Sequence, residues 1–187
     1  MPSKRRVPAG HRDSGAVAVE TAAVSLMLVI LMFGIVECSF LFKDWLGVSA
    51  AARAGARMGA SQPRSASFAQ DTADQVTTAI SDLVPANIQE VWVYKASATT
   101  GLPVSGATCS SSCVKFTWSA GQLQPLSDTW SATSQQACAD PAFRDTLGVY
   151  LKYRHTSPLG FFFNNTTISE STVMWIEPIT STSVCKP

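Results

Sequence analysis

The sequence predicts an α+β protein: a long N-terminal transmembrane helix that runs on into a small exported domain with a second helix and an antiparallel sheet. Three observations carry this expectation. Residues 16–42 hold no basic side chain and form one apolar run, long enough for a hydrocarbon core that takes roughly 20 helical residues to cross. Trp45, Leu46, Val48, Ala51, Ala52, Ala56 and Met58 then continue the run with few helix breakers, so the same helix extends to about Ala60. Further on, short segments of period-two alternation are separated by Ser-, Thr-, Gly- and Pro-rich stretches, as antiparallel strands are.

The first element has a basic leader. Residues 1–15 carry Lys4, Arg5, Arg6 and Arg12 against Asp13 alone. The positive-inside rule therefore puts the N-terminus in the cytoplasm and the chain after about residue 43 outside. Glu20 interrupts the apolar run five residues after Gly15, and a carboxylate there is costly to bury. Gly, four small or apolar residues, then Glu is the arrangement that a prepilin peptidase cuts, before the apolar segment and on its cytoplasmic side. Cleavage is thus expected between Gly15 and Ala16, with the helix retained on the mature protein. Two rivals exist. An uncleaved anchor needs no such motif, and an ordinary secretory signal would be cut near Val48-Ser49-Ala50 after an apolar core of 7 to 15 residues. The length of the run here favours an anchor.

Cleavage would create an α-amino group on Ala16, with Glu20 one turn along the same helix. A carboxylate in an apolar medium seeks such a cation, its own or a neighbouring subunit's, and that pairing would set the axial register between stacked helices. Glu37 follows Glu20 by 17 residues, roughly 26 Å of helix. Each glutamate can therefore sit near one membrane interface. Glu37 reads equally well as a hydrated interfacial carboxylate and as a second assembly residue.

Residues 43–65 read as helix extension and linker, and 66–187 as the exported domain. Arg53 and Arg57 share a helix face, either as a solvated stripe opposite the small residues or as a docking point. The Ala/Gly richness of 50–60 allows close helix approach. Ser61 to Ser65 is a break. Phe68, Val76, Ile80 and Leu83 recur at near-helical spacing, which predicts a helix over 66–83 that ends before Pro85. Ile88 to Lys95 alternates as a strand, 96–113 is a loop, and Val114 to Trp118 is a short strand. Residues 119–146 read as mostly irregular, with Trp130 as a buried anchor. Gly148 to Arg154 and Thr166 to Ile176 are strands, joined by a turn that holds Pro158, Gly160 and Phe161-Phe162-Phe163. Three adjacent phenylalanines cannot all face one way, so at least one is exposed or covered by a partner.

From residue 43 onward the chain has ten basic and ten acidic residues, a neutral balance that argues against nucleic-acid binding. Cys38 lies in the apolar run and reads as a small apolar residue. Cys109, Cys113, Cys138 and Cys185 fall outside it, an even number in an oxidising setting, so two disulfides are expected. Of the three pairings, Cys109–Cys113 closing a small loop and Cys138–Cys185 tying down the tail are favoured. Zinc is the other use of such thiols, but the C-x3-C pair lacks a matching second pair, so no metal site is assigned. Of the two histidines, His11 lies in the leader and His155 has no cysteine or acid at motif spacing. No nucleophile elbow or phosphate-cradling loop is present, so neither an enzyme nor a cofactor is expected.

Three ordered blocks together resemble the TadE-like proteins, pseudopilins of tight-adherence (Flp-type) pilus systems. They are Gly15-Ala16-Val17-Ala18-Val19-Glu20, Phe33-Gly34-Ile35-Val36-Glu37, and Ala51-Ala52-Arg53-Ala54-Gly55-Ala56-Arg57. Gly148 to Tyr153 and Ser171 to Pro178 resemble the end of such proteins more weakly. Thr21 and Cys38 depart from the family, where aromatics are common. The resemblance implies a pilin-like fold, a class III leader at 1–15 removed by a prepilin peptidase, and a minor role in pilus assembly or initiation. The implied partners are that peptidase, other pilins and pseudopilins, pilus-assembly membrane proteins and the lipid bilayer. A membrane-anchored extracytoplasmic binding or sensor domain is the alternative, and it explains everything except the Gly15–Glu20 pairing.

Overall fold

The computed structural model describes residues 13–179; the basic cluster of the leader and Cys185 lie outside them. Helix α1 (Asp13–Ser61) is unbroken over 49 residues, about 73 Å at 1.5 Å per residue. It lies between Pro8 and Pro63, with no proline to remove a ladder hydrogen bond or kink the axis. Its two halves face different surroundings. From Gly15 to Val36 no side chain is buried, although Val17, Leu26, Met27, Ile30 and Leu31 are large and apolar. From Val48 onward one side is wholly buried, through Val48, Ala51, Ala52, Ala56 and Ala60. One helix is thus a bare apolar rod at one end and the core of a domain at the other.

The small residues of the second half let helix α2 (Phe68–Ala79) lie close against α1. A Cβ placed on Gly55 would come within 2.5 Å of a Val76 methyl group, and one on Gly59 within 2.5 Å of the Thr72 hydroxyl. The close approach anticipated for residues 50–60 is therefore used inside the chain. Arg53 and Arg57 are exposed on the opposite side, and Arg53 reaches back to the Ser49 hydroxyl at 3.0 Å. The connector is pinned by Gln135, which accepts from the Arg64 backbone N–H at 2.6 Å while its carbonyl takes the guanidinium at 2.9 Å. Helix α2 is shorter than its periodicity suggests, with Ile80 as its C-cap. Pro85 holds Val84 in extended conformation, so the chain unwinds early. Ile80 is still fully buried and Leu83 still packs on the core, which explains the helical spacing.

Five antiparallel strands form the sheet: β1 (Ile88–Ala96), β2 (Cys113–Ser119), β3 (Gln122–Asp128), β4 (Thr146–His155) and β5 (Thr166–Trp175), in the order β3-β2-β1-β4-β5. The odd-numbered Val91, Val93, Leu147, Val149, Leu151 and Tyr153 turn to the helices, with Val114 and Phe116 beside them. On the other face Trp92 stacks on Tyr150 at 4.4 Å between centroids. Tyr94, Ala96, Cys109 and Cys113 bury a second, smaller cluster there.

Strand β3 corrects the expectation that 119–146 is mostly irregular. Ala120 and Gly121 both have positive φ (51° and 84°), the handedness of a tight two-residue hairpin loop. The strand buries Leu123 alone and carries Pro125, which an edge strand tolerates because its outer N–H has no ladder partner to lose. Trp130 is buried and meets Phe68 edge-on at 5.4 Å, as its anchor role required. Cys109 and Cys113 form a disulfide that ties the 97–112 loop to the start of β2. Cys138 is buried and disulfide-bonded, and its expected partner Cys185 lies outside the described residues.

Candidate functional site

The residues singled out on α1 fall at three levels. Gly15 and Ala16 open the bare half, both exposed, and a side chain on Gly15 would meet nothing within 4 Å. Glu20 is likewise exposed, with no hydrogen bond or ion pair to its side chain among the described residues. From Gly15 to Met32 every described side chain of this helix, long and apolar enough to cross a membrane, is exposed.

Glu37 is different. Its side chain is fully buried although the helix around it is bare. The cover comes from the connection between β4 and β5, which drops onto α1. Phe161 and Phe162 donate their backbone N–H groups to the two carboxylate oxygens, each at 2.7 Å, and the Ser157 hydroxyl donates at 3.0 Å. The same Ser157 oxygen accepts from Leu159 and Gly160, and Gly160 takes a positive φ of 69° to complete the turn. A charged acceptor with three aimed donors is a strong arrangement, since hydrogen bonds to ionised groups are roughly twice as strong as neutral ones. The phenylalanine rings then flank the helix below: Phe161 lies 5.9 Å from Phe33 between centroids. Phe161 is 68% exposed and Phe162 57%, so the tip is bare rather than core.

Above this clamp α1 is fixed to the sheet and to the connection between α2 and β1 by a polar girdle. His155 Nδ1 lies 2.6 Å from an Asp44 carboxylate oxygen, the Lys43 ammonium donates to the Asp82 carbonyl at 3.2 Å, and Trp45 donates to Glu170. His155 is only 1% exposed and its Nε2 has no hydrogen-bond partner among the described residues. Nearby Tyr153 accepts from the Val84 N–H, and burial pushes its hydroxyl pKa up. The acid that His155 lacked by motif spacing is Asp44, 111 residues away in sequence. Asp44→Ala should strand the buried Nδ1 and cost about 2 kcal/mol of domain stability. A thermal or urea unfolding curve identical to that of the parent would refute this assignment.

Between α1 and β5 runs a groove of about 490 Å³, lined by Cys38, Leu41, Phe42, Trp45 and the residues from Thr166 to Glu170. Cys38, free and exposed, sits at its lower end. Among the described residues no group of three or more His, Cys, Asp or Glu side chains is placed to hold a metal ion; these contacts hold a helix against a sheet at a fixed height. The donors on Glu37 were invisible in the sequence because two are backbone groups. The turn residues Ser157, Pro158 and Gly160 beside three phenylalanines were the available signal.

No curated protein and no solved structure matches the chain. A family model does match it over residues 15–57, from the glycine before the apolar run to Arg57, a span that includes Glu20, Glu37 and Gly55. Helix α2 and the whole sheet lie beyond the match. Over residues 15–57 of its long N-terminal helix, the chain is similar to the TadE-like proteins.

Proposed function

We propose that the chain is a minor pseudopilin of a tight-adherence pilus system, working in assembly or initiation and carrying out no catalysis of its own. The observation that carries this reading is the bare N-terminal half of α1, which opens on Gly15 and Glu20 and continues without a break into the domain core. In this mechanism the chain inserts with its N-terminus inside, and a prepilin peptidase removes residues 1–15. The new amino group of Ala16 and the Glu20 carboxylate then register the helix against other pilins or pseudopilins, with the domain outside. The TadE-like match over residues 15–57 and an exposed Glu20 without a partner among the described residues support that role.

The deciding experiment is N-terminal sequencing of the mature protein from membranes. A start at Ala16 is expected. A start near Ala51 would mean a secreted domain, and an intact N-terminus would leave a membrane-anchored domain with another purpose. Gly15→Leu should abolish processing, because the bulky side chain would not fit the protease subsite. Glu20→Ala should still be processed but should fail to support piliation; normal pili in that variant would sink the register mechanism.

A further inference from the structure

The domain itself enters the membrane. We infer that the Phe161-Phe162-Phe163 tip is a wedge seated among the acyl chains of the outer leaflet, so the protein holds the bilayer at two places. The inference rests on the reading of α1 as a membrane-spanning helix, and it goes beyond it because the tip belongs to the sheet.

Depth is the first argument. Counted from Ala16, a 30 Å hydrocarbon core is used up after roughly 20 residues, near Val36. Phe161 packs on Phe33, and Phe162 and Phe163 line an apolar groove with Ile30, Leu31, Gly34 and Ile35. These helix positions lie inside the core by that count. If the boundary is set higher, at Lys43 and Trp45, the tip only lies deeper.

Chemistry is the second. The groove, of about 800 Å³, is lined by nine residues, none of them charged. It is continuous with the exposed apolar surface of Ile30, Leu31 and Ile35, which any membrane-spanning placement already gives to lipid. The potentially costly group at this height, the Glu37 carboxylate, is capped by the Phe161 and Phe162 N–H groups and hidden from the lipid side. The chain leaves the tip through Asn164, Asn165, Thr166 and Thr167, a polar run suited to the headgroup layer. The clamp explains how a loop can sit in hydrocarbon, because its leading backbone donors are satisfied by a carboxylate.

The test uses nitroxide labels on the full chain in phospholipid vesicles, in a Cys38→Ser background with the disulfides kept oxidised. Labels are placed at Phe162→Cys, at Leu28→Cys on the bare helix, and at Leu126→Cys on the outer strand β3. Collision with oxygen, which concentrates in lipid, is compared with collision with a water-soluble nickel chelate. The expected result is a lipid-like ratio at 28 and 162 and the reverse ratio at 126. A water-like ratio at 162 with a lipid-like one at 28 would overturn the wedge and leave the anchor standing. Weak collision with both reagents at 162 would also overturn it, since the tip would then be covered by protein. A water-like ratio at 28 would remove the anchor and the wedge together.

Discussion

Glu37→Ala is expected to release the β4–β5 connection from the helix. The substitution removes the acceptor of two backbone N–H groups and one hydroxyl, all within 3.0 Å of the carboxylate. Stranding a buried donor costs about 2 kcal/mol, and two backbone donors here have no alternative acceptor if the loop stays down. The cheaper outcome is for the loop to lift and the donors to find water. Amide hydrogen exchange at Phe161 and Phe162, measured in bilayer discs, should therefore quicken by about 30-fold or more, given tenfold per 1.4 kcal/mol. Glu37→Gln keeps an acceptor and loses the charge, so its effect should be intermediate. Unchanged protection in the alanine variant would show that the clamp holds nothing. Of the two sequence readings for this residue, interfacial or assembly, neither anticipated that the carboxylate is occupied within its own chain.

Gly55→Leu should have the largest effect on the domain. A β-carbon alone would meet the Val76 methyl group at 2.5 Å and the Thr72 carbonyl at 3.5 Å, and the rest of leucine would have to displace α2. Overpacking a filled core costs about 1–3 kcal/mol, and a substitution that separates two helices belongs at the upper end. A loss of about 3 kcal/mol corresponds to a fall of roughly 10 °C in Tm for a domain of this size. Gly55→Ala should cost less, because a single methyl group asks only Val76 to move. If the leucine variant melted like the parent, α1 and α2 would not be packed at this glycine. The glycine of the Ala-Arg-Ala-Gly-Ala-Arg block thus has a packing reason rather than a membrane one.

How much was legible follows from where each signal lay. The continuous helix was readable because nothing between Pro8 and Pro63 breaks it, and composition alone gave the bare half. Strand β1 was readable because Val91 and Val93 face the core while Trp92 and Tyr94 face the other way. Strand β3 was not, since one buried leucine in seven residues makes no alternation and Pro125 argues against a strand. Cys109 and Cys113 were readable as a pair from their spacing. The Glu37 clamp and the Asp44–His155 contact were not, because both join residues more than a hundred positions apart, and the main donors on Glu37 are backbone groups that carry no sequence signature.

The unbroken ladder of α1 has a mechanical corollary. A chain with a loop between anchor and domain can swivel; this one cannot, so helix and sheet turn as a single key and its shank. Each residue of helix adds 1.5 Å of height and 100° of rotation. Inserting one alanine between Val24 and Leu28, below the phenylalanine contacts, would therefore leave the domain intact yet turn Glu20 by about 100° relative to the sheet. The face that Glu20 offers to a neighbour is geared to the direction in which the domain points, and a phase error of one residue would misalign the two.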